Sequence, residues 1–169
     1  MNEISNTDQN GVESGTGELI SHYVIELAGE LYALPQSNDT SLSWVQRPQE
    51  PTYLPTLPAW CLGLVNERNT PVLLVDLRGI LGLPPRETPD LGDQARHVFV
   101  ERAGDTIGLL VDRTRRFRLL PLQPMSPNGD FIACTVRAEE GVVRILNLEA
   151  IWRFTLQELG APLAHQAVA

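Results

Sequence analysis

A nine-residue pattern occurs twice in this chain, and a shorter pattern follows each copy in the same order. Residues 26–34, ELAGELYAL, align with residues 101–109, ERAGDTIGL, and residues 72–77, VLLVDL, align with residues 143–148, VRILNL. Each first pattern places two apolar runs around a glycine-containing turn, which predicts a β-hairpin. Each second pattern runs from a strand into a helix-capping residue. Two matches in one order predict two similar subdomains, each a small barrel of about five short strands.

Composition separates a body from two tails. The 13 basic residues are all Arg, and 21 acidic residues give a net charge of −8. Residues 1–20 hold four acidic residues, no Arg and few apolar side chains, so they are predicted to be a disordered acidic tail. The body is predicted to be a single domain over residues 21–159. Subdomain one covers about 21–86, a linker lies at 84–95, and subdomain two covers about 95–159.

The last predicted element is an amphipathic helix that begins after a cap at Asn147. Gly160 and Pro162 are expected to end it, so residues 160–169 are predicted to be a flexible C-terminal tail. The side chains expected on its buried face are Leu148, Ile151, Trp152, Thr155, Leu156 and Leu159.

The residues do not converge on a catalytic, cofactor or metal site. The three histidines are scattered, no Cys/His spacing suits zinc, and no glycine-rich phosphate loop is present. Cys61 with His97 is the one nucleophile–base pair that can be constructed, and a core cysteine is the favoured interpretation. We therefore predict no enzyme, no cofactor and no bound metal.

Charge and hydropathy also limit the partners and the location. The acidic balance disfavours nucleic acid, and the arginine-rich run 113–118 is interpreted as a strand face covered by arginine stems rather than an RNA-binding patch. The chain lacks a basic start and an apolar run near the 20 residues of a membrane span, so we predict a cytoplasmic protein without direct membrane insertion. Trp44 and Trp60 suit either a core or an interface.

The order of the segments resembles the CheW family of chemosensory coupling proteins over about residues 22–153. The segments are YVIELAGELYALP, a proline-rich connection, LPAWCLGLVNERNTPVLLVDLRGILGLPP, a variable linker, HVFVERAGDTIGLLVDRTRRFRLLP and GVVRILNLEAIW. The most specific motif is residues 63–83, supported by GLLVDR at residues 108–113.

The resemblance implies a mainly β fold of two interlocked five-stranded SH3-like β-barrel subdomains with short capping helices and a C-terminal helix. It implies a non-enzymatic adaptor that couples chemoreceptors to a CheA-type histidine kinase. The implied partners are the regulatory domain of the kinase, the cytoplasmic hairpin tip of the receptor and other CheW-like proteins. The alternative is a small-barrel protein that binds nucleic acid or a ligand and is unrelated to chemosensing.

The resemblance also places a partner-binding surface. An apolar groove would take a receptor helix, and its expected residues are Leu42, Trp44 and Val45, with Asn66 and Arg68 on its polar rim. Glu67, which lies between these two in the turn, is also expected to bind the partner. The family usually has Asn-Leu-Arg-Gly at residues 66–69, where this chain has Asn-Glu-Arg-Asn, and an acidic residue where the chain has Trp44. The chain is therefore expected to be a divergent member. In this divergent chain, the Glu67 carboxylate could bind the guanidinium of the adjacent Arg68.

Overall fold

The computed structural model describes residues 18–87, 90–121 and 130–167, with the backbone alone for residues 160–167. These ranges contain ten strands and two helices. In chain order they are β1 (Leu19–Leu27), β2 (Glu30–Pro35), β3 (Thr40–Gln46), β4 (Cys61–Glu67), β5 (Thr70–Asp76), α1 (Leu77–Leu81), β6 (Arg96–Arg102), β7 (Asp105–Val111), β8 (Arg113–Pro121), β9 (Ile132–Ala138), β10 (Gly141–Leu146) and α2 (Leu148–Ala167). The mainly β prediction is confirmed.

The strands form two five-stranded sheets that exchange their hairpins. The first sheet has the order β8-β1-β2-β10-β9, and the second has the order β3-β6-β7-β5-β4. Each sheet joins the leading hairpin of one sequence half to the three later strands of the other half. The parallel pairs are β2 with β10 and β5 with β7. The sheets therefore do not follow the expected division into residues 21–86 and 95–159, because each of them needs strands from both sides of the linker.

The two hairpins repeat each other in backbone conformation as well as in sequence. Ala28 and Gly29 connect β1 to β2 with φ values of 50° and 78°, and Ala103 and Gly104 connect β6 to β7 with 50° and 84°. Two successive positive φ angles are typical of the type I′ turn, whose twist matches that of the flanking strands. The internal repeat predicted from the sequence is thus present in the structure.

The largest core lies between the two sheets, and each sheet also has a smaller core of its own. Ile25 and Leu34 of the first sheet, Leu109 of the second sheet, and Ile151 and Trp152 of α2 share the central core. The smaller core of the first sheet contains Val24, Ala33, Leu120, Val143 and Ile145, and that of the second sheet contains Val65, Val72, Leu74 and Phe99. Consecutive residues of one strand can both be buried because side chains alternate between two packed faces.

Both helices begin at the caps predicted from the sequence. The Asp76 carboxylate accepts a hydrogen bond from the Arg78 backbone N–H at 3.1 Å, and the Asn147 side chain accepts one from the Ala150 N–H at 3.1 Å. Each cap satisfies a backbone donor that has no partner inside the helix. These contacts support the assignment of Asp76 and Asn147 to helix capping.

The ends of the domain differ from the prediction. The expected acidic tail, residues 1–20, lies outside the described residues up to 17, and β1 already begins at Leu19. Helix α2 continues past Gly160 and Pro162 to Ala167, where alanine, leucine and glutamine supply strong helix formers. Leu156, expected on the buried face of α2, is 52 % exposed.

Candidate functional site

The turn between β4 and β5 carries the side chains that sequence analysis singled out. Glu67 and Thr70 are paired across the hairpin, and Arg68 and Asn69 connect them with φ values of 50° and 63°. Asparagine adopts positive φ more readily than other residues with a side chain. Asn69 can therefore stand where the family usually has glycine without changing the course of the turn.

Two side-chain contacts tie this turn to β3. The second sheet begins with β3 and ends with β4, so these strands are not hydrogen-bonded neighbours. The Gln46 amide donates a 2.5 Å hydrogen bond to Glu67 Oε1, and the Arg68 guanidinium carbon lies 5.1 Å from the centroid of the Trp44 ring. We call Trp44, Gln46, Glu67 and Arg68 the seam cluster, since they connect the two ends of the sheet.

Trp44 packs against the core of the second sheet. Its ring stacks on Phe99 with centroids 4.5 Å apart and planes 13° from parallel, and Phe99 is completely buried. The indole N–H is buried without a hydrogen-bond partner among the described residues. A buried unpaired donor costs about 1–3 kcal/mol, so the ring is held there by stacking and burial and not by its N–H.

The structure brings together only part of the predicted groove. Leu42 and Val45 pack against the central core, whereas Trp44 packs against the core of the second sheet. A β-bulge between Leu42 and Trp44 causes this split, because it shifts the register by one residue and sends Trp44 to the other face. The single apolar groove lined by Leu42, Trp44 and Val45 is therefore corrected to two separate surfaces.

The three predicted turn residues are adjacent to one another but differ in their exposure to solvent. Asn66 and Arg68 are exposed, and Glu67 is half-buried. Glu67 accepts its hydrogen bond from Gln46, and no ion pair between Glu67 and Arg68 occurs in this described part of the chain. The expectation that Glu67 holds the guanidinium is replaced by the contact between Arg68 and the Trp44 ring.

Gln46 and Phe99 also shape this site, and neither of them is among the site residues predicted from the sequence. Gln46 lies two positions after Trp44 in β3, so strand alternation alone could have placed it on the same face. Phe99 is the cross-strand neighbour of Trp44, and finding it requires the register between β3 and β6.

A second charged cluster joins elements far from the seam. Arg78 and Arg86 both bind Asp112, and Arg86 also binds Asp76 at 2.6 Å. The Asp112 carboxylate additionally accepts the Ala28 backbone N–H at 2.7 Å. Burial disfavours the charged Asp112, but the hydrogen bonds from Arg78 and Ala28 and the charge of Arg86 outweigh it and lower the pKa of this carboxyl. The cluster is a structural link between α1, the residues after it and the first hairpin.

Three of the four arginines of β8 are paired within the protein. Arg115 binds Glu26, and Arg116 and Arg118 bind Glu140, which lies after β9. These contacts agree with the interpretation of residues 113–118 as a strand face and offer little unpaired positive charge to a nucleic acid.

The groups considered for catalysis are not activated. Burial raises the pKa of the Cys61 thiol and lowers the pKa of His97 to about 4. A raised thiol pKa reduces the thiolate fraction needed for nucleophilic attack. Within residues 18–87, 90–121 and 130–159 no group of three or more His, Cys, Asp or Glu side chains is arranged to hold a metal ion. None of the described helices combines the length and the apolarity needed to cross a membrane.

Comparison with known proteins gives one family and one fold. The family model of the CheW-like domain matches residues 22–154. A search of curated proteins finds no match. Among solved structures, the chain is similar to the scaffolding protein TtCheW from Thermoanaerobacter tengcongensis, with a TM-score of 0.63 and 23 % sequence identity. The alignment covers 76 % of this chain and 89 % of that chain.

Proposed function

Because this chain belongs to the family of CheW-like domains, we propose that it is a non-enzymatic adaptor that couples a chemoreceptor to a CheA-type histidine kinase. The family match over residues 22–154 supports this proposal, and so does the burial that raises the pKa of the Cys61 thiol. The adaptor acts in the cytoplasm, where receptor tips and kinase meet. Its work is a set of binding free energies that relate the state of one partner to that of the other.

The observation that carries the proposal is the exposed guanidinium of Arg68 on the turn between β4 and β5. The side chain is exposed, and no described acidic residue forms an ion pair with it. Arginine is frequent among the residues that dominate protein–protein binding. We propose that Arg68, together with its neighbours Asn66 and Glu67, contacts the partner.

Titration of the Arg68→Ala variant tests this contact. We expect binding to the receptor-tip fragment or to the kinase regulatory domain to weaken by about 1–3 kcal/mol, a factor of about five to two hundred. The folding free energy should fall by no more than about 1 kcal/mol, the size of an exposed cation–π contact. Arg153→Ala is the matched control, because Arg153 is an exposed arginine on α2, away from the seam. Unchanged affinity for both partners would exclude Arg68 from the site.

Co-purification distinguishes the adaptor from the alternative function. The tagged full chain should retain a histidine kinase or a chemoreceptor from its own cells. Recovery of RNA or a bound nucleotide instead would favour a small-barrel binding protein.

A further inference from the structure

The guanidinium of Arg68 contacts an aromatic ring and not a carboxylate. Arg68 Cζ lies 5.1 Å from the Trp44 centroid, and no hydrogen bond from the guanidinium to another described residue occurs. The adjacent Glu67 Oε1 is engaged by Gln46. Among the described residues, the N–H groups of Arg68 therefore have no hydrogen-bond acceptor. The side chain is nevertheless positioned by its contact with the Trp44 ring.

A ring and a carboxylate leave different parts of a guanidinium available. A carboxylate occupies two N–H groups in the plane of the guanidinium, whereas an aromatic ring contacts its face. Tryptophan gives the strongest of these face contacts. An arginine held by Trp44 consequently keeps its planar fork open for a second group.

Several contacts hold the platform under Arg68 in place. Trp44 stacks on the buried Phe99, and β3 pairs with β6 on both sides of Trp44. Gln46 ties the same turn to β3 through Glu67. Less rotamer freedom is lost when a partner binds a side chain that is already ordered, and the affinity gains accordingly.

We propose that Trp44 is a positioning residue that presents the open fork of Arg68 to a carboxylate on the receptor-tip helix. This inference rests on the proposed receptor contact and adds the chemistry of the partner: an exposed Asp or Glu that forms a bidentate pair with Arg68. The pairing is local, since the molecule as a whole is acidic, with a net charge of −8. Selectivity therefore comes from the Arg68 guanidinium and not from the electrostatic field of the whole protein.

The test uses the full chain and a receptor-tip hairpin fragment in which each exposed Glu or Asp is changed singly to its amide. One of these changes should weaken binding to the wild-type chain by about five- to two-hundred-fold. The same change should add no further loss to Arg68→Ala, because the two groups form one contact. Arg68→Lys should also lose most of the affinity, since lysine cannot form the planar fork.

Variants of Trp44 separate positioning from mere packing. Trp44→Phe keeps a ring face and should remain within about threefold of the wild type, whereas Trp44→Ala should not. Thermal unfolding of each variant checks that the comparison is made on folded protein.

Two results would overturn the inference in distinguishable ways. If the receptor tip binds but none of its amide changes is coupled to Arg68, the carboxylate is wrong and the receptor contact stands. Equal binding by Trp44→Ala and Trp44→Phe would likewise remove the positioning role alone. If no variant binds the receptor tip, the proposed receptor contact fails together with this inference.

Discussion

His97 is a buried titratable side chain, and its protonation opposes folding. It is 1 % exposed, and burial lowers its pKa from 6.5 to about 4. The unfolded chain therefore binds more protons than the native one between these values, and stability falls as the pH drops through them. We expect His97 alone to cost about 2 kcal/mol by pH 5 and about 3 kcal/mol by pH 4.

Urea unfolding at pH 7.5 and pH 5 measures this loss. His97→Gln should show a smaller difference between the two pH values than the wild type. Burial also lowers the pKa of His22, so the double variant with His22→Gln should be the least sensitive to pH. An undiminished loss in the double variant would assign the pH dependence to other groups.

Gly63 is required by a close approach of two backbones. Its φ is 126°, and a Cβ atom there would lie 2.2 Å from the Thr52 carbonyl oxygen. That carbonyl accepts the Leu64 N–H at 3.0 Å, so it cannot move away without loss of this hydrogen bond. We expect Gly63→Ala to lower the free energy of unfolding by at least about 3 kcal/mol.

Gly104→Ala is the matched control for this steric effect. Gly104 also has a positive φ, 84°, but a Cβ there meets no atom within 4 Å. The control should lose about 1 kcal/mol in urea unfolding, the cost of the backbone conformation alone. Equal losses in the two variants would show that contact with Thr52 is unimportant. The pattern of apolar residues around Gly63 gives no sign of Thr52, because an isolated β-bridge between Thr52 and Leu64 joins β4 to the irregular proline-rich connection.

At the level of elements, Asp112 joins three parts of the chain. Its carboxylate binds Arg78 of α1, Arg86 after α1 and the backbone of Ala28 in the first hairpin. Asp112→Asn removes the charge and leaves two arginines with reduced compensation at sites that are less than one fifth exposed. We expect a loss of about 2–4 kcal/mol in urea unfolding at neutral pH.

Glu149→Gln provides the comparison for an exposed pair. Glu149 binds Arg153 one turn later in α2, and such helical pairs contribute about 0.3–0.5 kcal/mol. If Asp112→Asn costs no more than Glu149→Gln, the cluster does not link the elements energetically.

An element can be predicted from the sequence when the residues that define it are close together in the chain. The hairpin turns at Ala28-Gly29 and Ala103-Gly104 and the caps at Asp76 and Asn147 depend on neighbours in sequence, and they were predicted. The bulge that separates Trp44 from Leu42 depends on pairing with β6, more than fifty positions away in the chain, and the apolar alternation conceals it. Leu156 fits the period of α2, but the described residues leave it 52 % exposed.

At the scale of the whole molecule, the exchange of hairpins makes the two halves depend on each other. The repeat predicted two similar units, and the structure has them as sheets of equivalent order. Sequence order alone, however, cannot show which half supplies the hairpin of each sheet. Helix α2 adds to the dependence, because Phe154 contacts Trp60 of the first half at 5.3 Å between ring centroids.

Separate expression of the halves tests this dependence. The fragment 18–87 keeps the pairs β1–β2 and β4–β5 but loses four pairings: β1 with β8, β2 with β10, β3 with β6, and β5 with β7. Isolated two-stranded hairpins are marginal in water, so we expect no cooperative urea transition for this fragment or for 90–169.

Mixing the two fragments should restore a cooperative transition. A full chain cleaved at a protease site inserted between residues 87 and 90 should keep one. That cleaved chain is the control, because it loses the connection without losing the other half. A cooperative transition of the fragment 18–87 alone would mean that the first half completes a sheet from its own strands, and that the exchange of hairpins is not what stabilises the fold.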